Sequence, residues 1–366
     1  MLNDARTICF NAVHACLPDR GVAKALKDLH IEKDVYLVAT GKAAFAMAKE
    51  AVKHVGVKRG IVISKYGHIE GELDHIDTYE AGHPVPDLNG ISATEKVIEM
   101  CSDLKEDDTV LFLLSGGASS LFESPVISLE KLQQINAEML KKGLNIFEIN
   151  AVRKKLSKVK GGRFADLCAP ARVCSIILSD VLSDRLDTIG SGPTVKDETD
   201  ADMALQILAD HQIDVGDDVR KIIQNSRVSK AENAVNIVTG SVKVLCQEAM
   251  KEAEKLSYRP VLLSDHIDIE AREAGDLLYE KILEHLNDDE DVALIMGGET
   301  IVHVKGSGLG GRNQELVFSQ MKHIAGLENV IIMSIGSDGT DGPTDAAGGY
   351  VDGTSYRKLL EKGGDF

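Results

Sequence analysis

The feature that most constrains this chain is the make-up of its apolar runs. DVYLVATG (34–41), GIVIS (60–64), TVLFLLS (109–115) and RVCSIILSD (172–180) are strand-length and apolar on both faces. Such strands are stable only where helices cover both sides of the sheet, so the runs imply a mostly parallel sheet in an α/β fold. Amphipathic stretches such as KAAFAMAKEAVKHV separate them, and the alternation restarts with AVNIVTG (234–240), RPVLLSD (259–265) and DVALIMGG (291–298). Two three-layer α/β domains are expected, the first Rossmann-like, over residues 1–228 and 229–366, with the boundary inside the polar helical stretch 197–233. A chain of 366 residues can bury a core in each without disulfides or metals.

Charge and cysteine usage exclude several classes of function. The 41 Lys+Arg against 58 Asp+Glu leave a net charge of −17, which repels nucleic acid and anionic membrane. The six cysteines form no C-x-x-C pair and have no histidine spaced as a zinc ligand would be, so they read as reduced core residues of a cytoplasmic protein. MLNDARTICF carries an aspartate at position 4 and no cleavable apolar core, and VLFLL is far too short to span a bilayer.

Ligands of open α/β sheets gather beyond the carboxyl ends of strands, and five loops there are unusual. Ser115, Gly116, Gly117, Ser119 and Ser120 follow a buried strand; glycines allow close backbone approach, and the amides and hydroxyls can hold an anion, although a tight turn with a serine cap has the same letters. NAVRKKLSKVKGGRF puts six basic residues at 153–163, with Arg153, Ser157 and Lys160 on one helical face, either a solvated basic face or an anion site. Lys42 stands at a helix entry just past the first strand, where it can reach a phosphate as a P-loop lysine does. Asp180 and Asp184 in one loop, and Asp338, Asp341 and Asp345 in another, suit a hard cation or plain turns. His83, in the Pro-bounded EAGHPVPD, reads as a structural turn residue first and as a residue lining the cleft second.

The fifth loop, GSGLGGRNQE (306–315), satisfies G-x-G-x-x-G through Gly306, Gly308 and Gly311. The run before it, TIVHVKG, alternates apolar and polar, which suits a half-exposed strand and not the buried first strand of a dinucleotide fold. Arg312 and Asn313 also stand where only backbone amides should meet a pyrophosphate. Anion cradle, lysine, basic helix end, acidic loops and Arg312 together match a small-molecule kinase better than a hydride-transfer enzyme, because phosphoryl transfer needs cations, a divalent metal and a base.

The ordered motifs ATGKAA, EAGHPVPD, LLSGGASSL, NAVRKKLSKVKGGR, SDVLSD with IGSGPT, GGET with GLGGRNQE, and SDGTDGPTDAAGG resemble the type 2 glycerate kinases, whose C-terminal part is the MOFRL domain. The likeness runs from about residue 34 to 352. It implies two α/β domains with the active site in the cleft between them, and ATP- and Mg²⁺-dependent phosphorylation of D-glycerate at the 2-hydroxyl. It also implies active-site roles for Lys42 and Arg312. Family members have been labelled hydroxypyruvate reductases, so an NAD(P)H-dependent reductase stays as the alternative, with a sugar-phosphate-binding regulator as a third class. Ser183, Arg185 and Ser337 depart from the family pattern, and relatives continue past KLLEKGGDF, from which a missing edge of the second domain is expected.

The expected division of labour is as follows. Lys42, Ser115, Gly116, Gly117, Ser119, Ser120, Lys160 and Gly192 contact the nucleotide; Gly308, Gly311, Arg312, Asn313 and Arg153 hold the acid; Asp338 or Asp341 is the base; Asp180, Asp184 and Asp345 bind metal. The expected partner is a small-molecule acid, with a homodimer allowed and no nucleic acid or membrane.

Overall fold

The computed structural model describes residues 1–179, 185–304, 306 and 308–364. It separates into two compact units, Pro18–Ser241 and Met1–Leu17 together with the chain from Val242 onward.

The first unit is built on six parallel strands: β1 (Val35–Thr40), β2 (Val57–Lys65), β3 (Ile76–Ala81), β4 (Thr109–Leu114), β5 (Arg172–Leu178) and β6 (Ala234–Gly240). Their order is β3-β2-β1-β4-β5-β6, the doubly wound order of mononucleotide-binding sheets, in which the chain reverses direction across the sheet between β1 and β4. Side chains of successive strand residues point to opposite faces. Val38, Ile61, Phe112 and Ile177 accordingly pack under helix Leu88–Met100, while Leu37, Val62, Leu111 and Ile176 pack under helices Pro18–Leu29 and Ala44–Ala51. Both faces being covered explains why these strands are apolar throughout. Phe112, Phe122 and Phe164 close one face, with ring centroids 4.8 to 5.5 Å apart.

Two sequence expectations differ from the structure here. AVNIVTG, read as the opening of a second set, is β6 and pairs with β5, so the first unit runs to Ser241 and not to 228. Central strands of either set would share the same apolar letters, and only pairing distinguishes them. The polar stretch 197–233 is no linker: helices Ala201–Asp210 and Asp217–Gln224 bury Ala204, Leu208, Val219 and Ile223 against helices Leu129–Lys141 and Ile146–Lys155. A stripe of two apolar residues per helix is narrow enough to disappear in an otherwise polar segment.

The second unit holds β7 (Arg259–Ile267) parallel to β8 (Val292–Gly298), and β9 (Ile331–Ile335) antiparallel to β10 (Gly348–Asp352). Its core joins Ala271 and Ala274 of helix Ala271–His285 to Leu316 and Val317 of helix Arg312–Gln320, with Ile332 and Val351. The N-terminal helix Leu2–Ala15 belongs to this unit, tied by Tyr258 Oη to Asp4 at 3.0 Å and Asn11 Nδ2 to Glu252 at 2.8 Å. TIVHVKG forms no strand over its described residues; only Ile301 makes a bridge, to Glu270.

Candidate functional site

In the first unit the β1 and β4 ends meet at the reversal point of the sheet. Thr40 pairs with Leu114, and the loops beyond are laced together: Ser115 N donates to the Thr40 carbonyl at 3.0 Å and Lys42 N to the Gly116 carbonyl at 2.8 Å. Gly41 has a φ of +119°, and a Cβ there would fall 2.2 Å from Ser115 Oγ, so only glycine permits this approach. Lys42 therefore has a fixed backbone and an exposed side chain. A Cβ on Gly117, at φ +88°, would stand 2.9 Å from His83 Cδ2 and 3.4 Å from Lys42 Cγ. Glycine is therefore required where the loop passes His83 and the Lys42 stem, and the exposed Lys42 side chain can offset the charge of a phosphate that approaches the loop's backbone.

The serines of this loop divide by role. Ser115 Oγ, 1% exposed, accepts from Ala43 N at 3.1 Å, and Ser120 Oγ donates to the Gly117 carbonyl at 3.2 Å, so both hold the loop's shape instead of facing a ligand. Ser119 is half-exposed and lies 3.4 Å from Ser191 Oγ, which donates to Asn150 Oδ1 at 2.9 Å. Gly192 has a φ of +64°, and its carbonyl accepts from Gly162 N at 2.7 Å.

The basic run is neutralised from within, which corrects its reading as an anion site. Lys154 and Lys155 share Asp197, with Lys155 Nζ at 2.7 Å, and Lys154 also reaches Asp187 at 3.5 Å. Lys160, expected at the nucleotide, is fully buried, with its ammonium 3.1 Å from Glu123 and 2.8 Å from the Phe122 carbonyl. Burial pushes its pKa down and Glu123 opposes that shift. Arg163 donates to the carbonyls of Lys154, Ser157 and Arg227, and Arg153 Nε to Asn136 Oδ1 at 2.7 Å. A six-residue basic run has the same appearance in sequence whether its counter-charges are solvent ions or side chains 40 residues away.

In the second unit Gly311 precedes helix Arg312–Gln320. Arg312 is exposed and donates through Nη1 to Glu299 Oε1 at 2.7 Å, which leaves most of its guanidinium open to a carboxylate. Asp341, expected as base or ligand, is 2% exposed, and its carboxylate accepts from Asn313 N at 3.0 Å, Asn313 Nδ2 at 3.0 Å, Gln314 N at 2.9 Å and Gln314 Nε2 at 3.1 Å. Burial alone would raise its pKa, but these four donors hold it below the usual carboxylate range. A carboxylate so saturated caps a helix from outside and is a poor proton acceptor. Asp338 has one oxygen on Thr340 N at 3.0 Å and is exposed, as is Asp345.

Of the three fingerprint glycines only Gly311 is sterically required: a Cβ there would fall 2.3 Å from Asp341 Cγ, while Gly308 faces open space. Among the described residues no strand leads into this loop, as a dinucleotide turn requires, and Gly311 opens directly into the helix that begins at Arg312. Asp180 and Asp184 lie outside the described residues, and among those described no group of three His, Cys, Asp or Glu side chains is placed to share a metal. No helix of the described residues is long and apolar enough to cross a membrane. Asn150, Ser191, His83 and Glu299 were not singled out as site residues by sequence, although each sits inside a quoted motif.

The profile of a domain of unknown function (DUF4147) matches residues 4–224, and that of the MOFRL family residues 292–366. A D-glycerate 2-kinase of Thermotoga maritima is 46% identical over 97% of this chain and 87% of its own length. A glycerate 2-kinase of Pyrococcus horikoshii is 38% identical over 97% of this chain and 86% of its own. An Agrobacterium vitis protein named as a hydroxypyruvate reductase is 33% identical, over 90% and 89%. The crystal structure of the Thermotoga maritima glycerate kinase superposes with a TM-score of 0.95, covering 99% of this chain and 89% of that one. On these matches and the shared fold, the chain belongs to the glycerate 2-kinase family.

Proposed function

We propose that the protein is a glycerate 2-kinase, which transfers the γ-phosphoryl group of ATP to the 2-hydroxyl of D-glycerate and releases 2-phospho-D-glycerate and ADP. The observation that carries this reading is the exposed Lys42, its backbone bonded to Gly116 at the reversal point of a doubly wound sheet, in a chain 46% identical to a D-glycerate 2-kinase.

Lys42 binds and neutralises the phosphates, and the Ser115–Ser120 loop lets them approach the backbone. Arg312 holds the glycerate carboxylate in place of Glu299. The 2-hydroxyl oxygen forms the new bond to phosphorus as the bond to the β,γ-bridging oxygen breaks, and the leaving ADP takes that electron pair. The hydroxyl proton goes to Asp338, whose second oxygen is open, and not to the saturated Asp341. Mg²⁺ usually takes one or two protein carboxylates with water and phosphate completing its shell, and the exposed Asp345 would fit that modest demand. When bound, the ion would supply positive charge to offset that on the transferring group.

The reductase alternative loses its support in this chain: among the described residues no strand leads into G-x-G-x-x-G, and the first strand-to-helix turn, ATGKAA, carries one glycine. Incubating the protein with D-glycerate, ATP and Mg²⁺ and coupling product to enolase without a mutase tests the proposal. Signal without mutase marks the 2-phosphate, and signal only with mutase marks the 3-phosphate. No ADP, with NAD(P)H oxidised on hydroxypyruvate, sinks the kinase reading.

A further inference from the structure

Ser191 adopts a backbone that serine avoids. Its φ is +62°, between Gly190 at +58° and Gly192 at +64°. A side chain in the left-handed region is disfavoured, and two neighbours already use glycine to enter it. Nothing about the turn itself asks for serine: the carbonyl of Ser191 accepts from Gly161 N at 3.0 Å and its N–H reaches the Thr188 carbonyl at 3.0 Å, bonds that glycine makes equally well.

The hydroxyl explains the choice. Ser191 is 0% exposed, and its Oγ sits between Asn150 Oδ1 at 2.9 Å and Ser119 Oγ at 3.4 Å. Asn150, 2% exposed, in turn leaves its Nδ2 without a partner. A buried amide N–H₂ with no acceptor is unfavourable, so the side chain is held where its carbonyl is useful even though its other end is unsatisfied. Strain at Ser191 and an orphan donor on Asn150 meet on the one loop serine that faces outward.

Hydrogen counting fixes the direction of the relay. Ser191 has one hydroxyl hydrogen and gives it to Asn150, so across the longer contact Ser119 is the donor. The Ser119 hydrogen is then turned inward, and Ser119 offers only lone pairs to a ligand. We propose that Asn150 and Ser191 are positioning residues which fix Ser119 as an acceptor beside Gly117, leaving phosphate oxygens to Lys42 and the backbone amides. The proposal rests on the phosphoryl-transfer reading of this loop.

The test exploits the strain. Ser191→Gly removes the hydroxyl and relieves the backbone, which offsets the bond lost to Asn150, so its melting temperature stays within about two degrees of the wild type. The freed Ser119 hydrogen turns to the phosphates, so ATP binds at least about fivefold more tightly by calorimetry and kcat falls at least about tenfold as ADP leaves more slowly. KM for glycerate stays within about twofold, because Arg312 is untouched. Asn150→Asp keeps an acceptor for Ser191 and holds ATP affinity nearer the wild-type value than Asn150→Leu, which has none. A Ser191→Gly protein with wild-type ATP affinity and kcat overturns the proposal, and so does one that melts several degrees lower, since that marks a role in folding alone. If the wild type binds ATP but leaves glycerate unphosphorylated, the function is wrong while the affinity comparison still decides the relay; a wild type that does not bind ATP overturns both.

Discussion

Arg312 and Glu299 form an ion pair whose side chains are 46% and 55% exposed, 2.7 Å apart. At that exposure the pair contributes about 0–1 kcal/mol to the fold, so it is free to exchange partners. Arg312→Ala is expected to lower kcat/KM for glycerate at least about a hundredfold, roughly 3 kcal/mol, with the melting temperature unchanged. Glu299→Gln removes the competitor for the guanidinium and is expected to lower KM for glycerate about two- to fivefold in steady-state assays. Arg312 was legible because a lone cation after a glycine run in an acidic chain stands out. Glu299 was not: its pairing depends on how the chain folds between residues 299 and 312, and spacing alone does not reveal that.

At the scale of elements, the N-terminus of helix Arg312–Gln320 has no cap of its own, since Gly311 has no side chain. Asp341 supplies the acceptor from another loop, next to the positive end of the helix dipole. Asp341→Asn keeps the shape but meets donors with an amide, and is expected to destabilise the second unit by about 2 kcal/mol at neutral pH, read by chemical denaturation. The sign with pH follows from the depressed pKa: between the folded value and the unfolded value of about 3.9 the unfolded chain binds more protons. The wild-type advantage over the variant is therefore complete above about pH 4 and closes as pH falls through the folded value. Asp197→Ala, which leaves buried Lys155 without its carboxylate and Lys154 with Asp187 alone, is expected to cost about 3–5 kcal/mol. The central strands β1, β4 and β5 were read correctly because burial on both faces leaves an uninterrupted apolar signal. TIVHVKG misled because alternation suits a strand only if a partner strand exists to pair with it.

For the whole molecule, an α/β chain of two units was legible from the repeated strand-helix alternation, but the division between them was not. Helix Leu2–Ala15 has the same amphipathic letters as helix Pro18–Leu29, yet only the second covers the six-stranded sheet. Removing residues 1–17 is expected to raise hydrogen exchange in helix Val242–Lys255 and β7, through loss of the Asp4–Tyr258 and Asn11–Glu252 contacts. Strands β1 to β5 should keep their protection. Faster exchange across those strands would show that the helix serves the sheet instead.

That interrupted second unit also sets an order of events during synthesis. The ribosome makes helix Leu2–Ala15 first, but the segments it packs against begin at Val242, more than 220 residues later. The six-stranded unit, continuous from Pro18 to Ser241, can close while the helix waits with its apolar stripe uncovered. Residues made ahead of the six-stranded unit are seated after it, and a circular permutant that begins at Pro18 and carries residues 1–17 after residue 366 would abolish the wait.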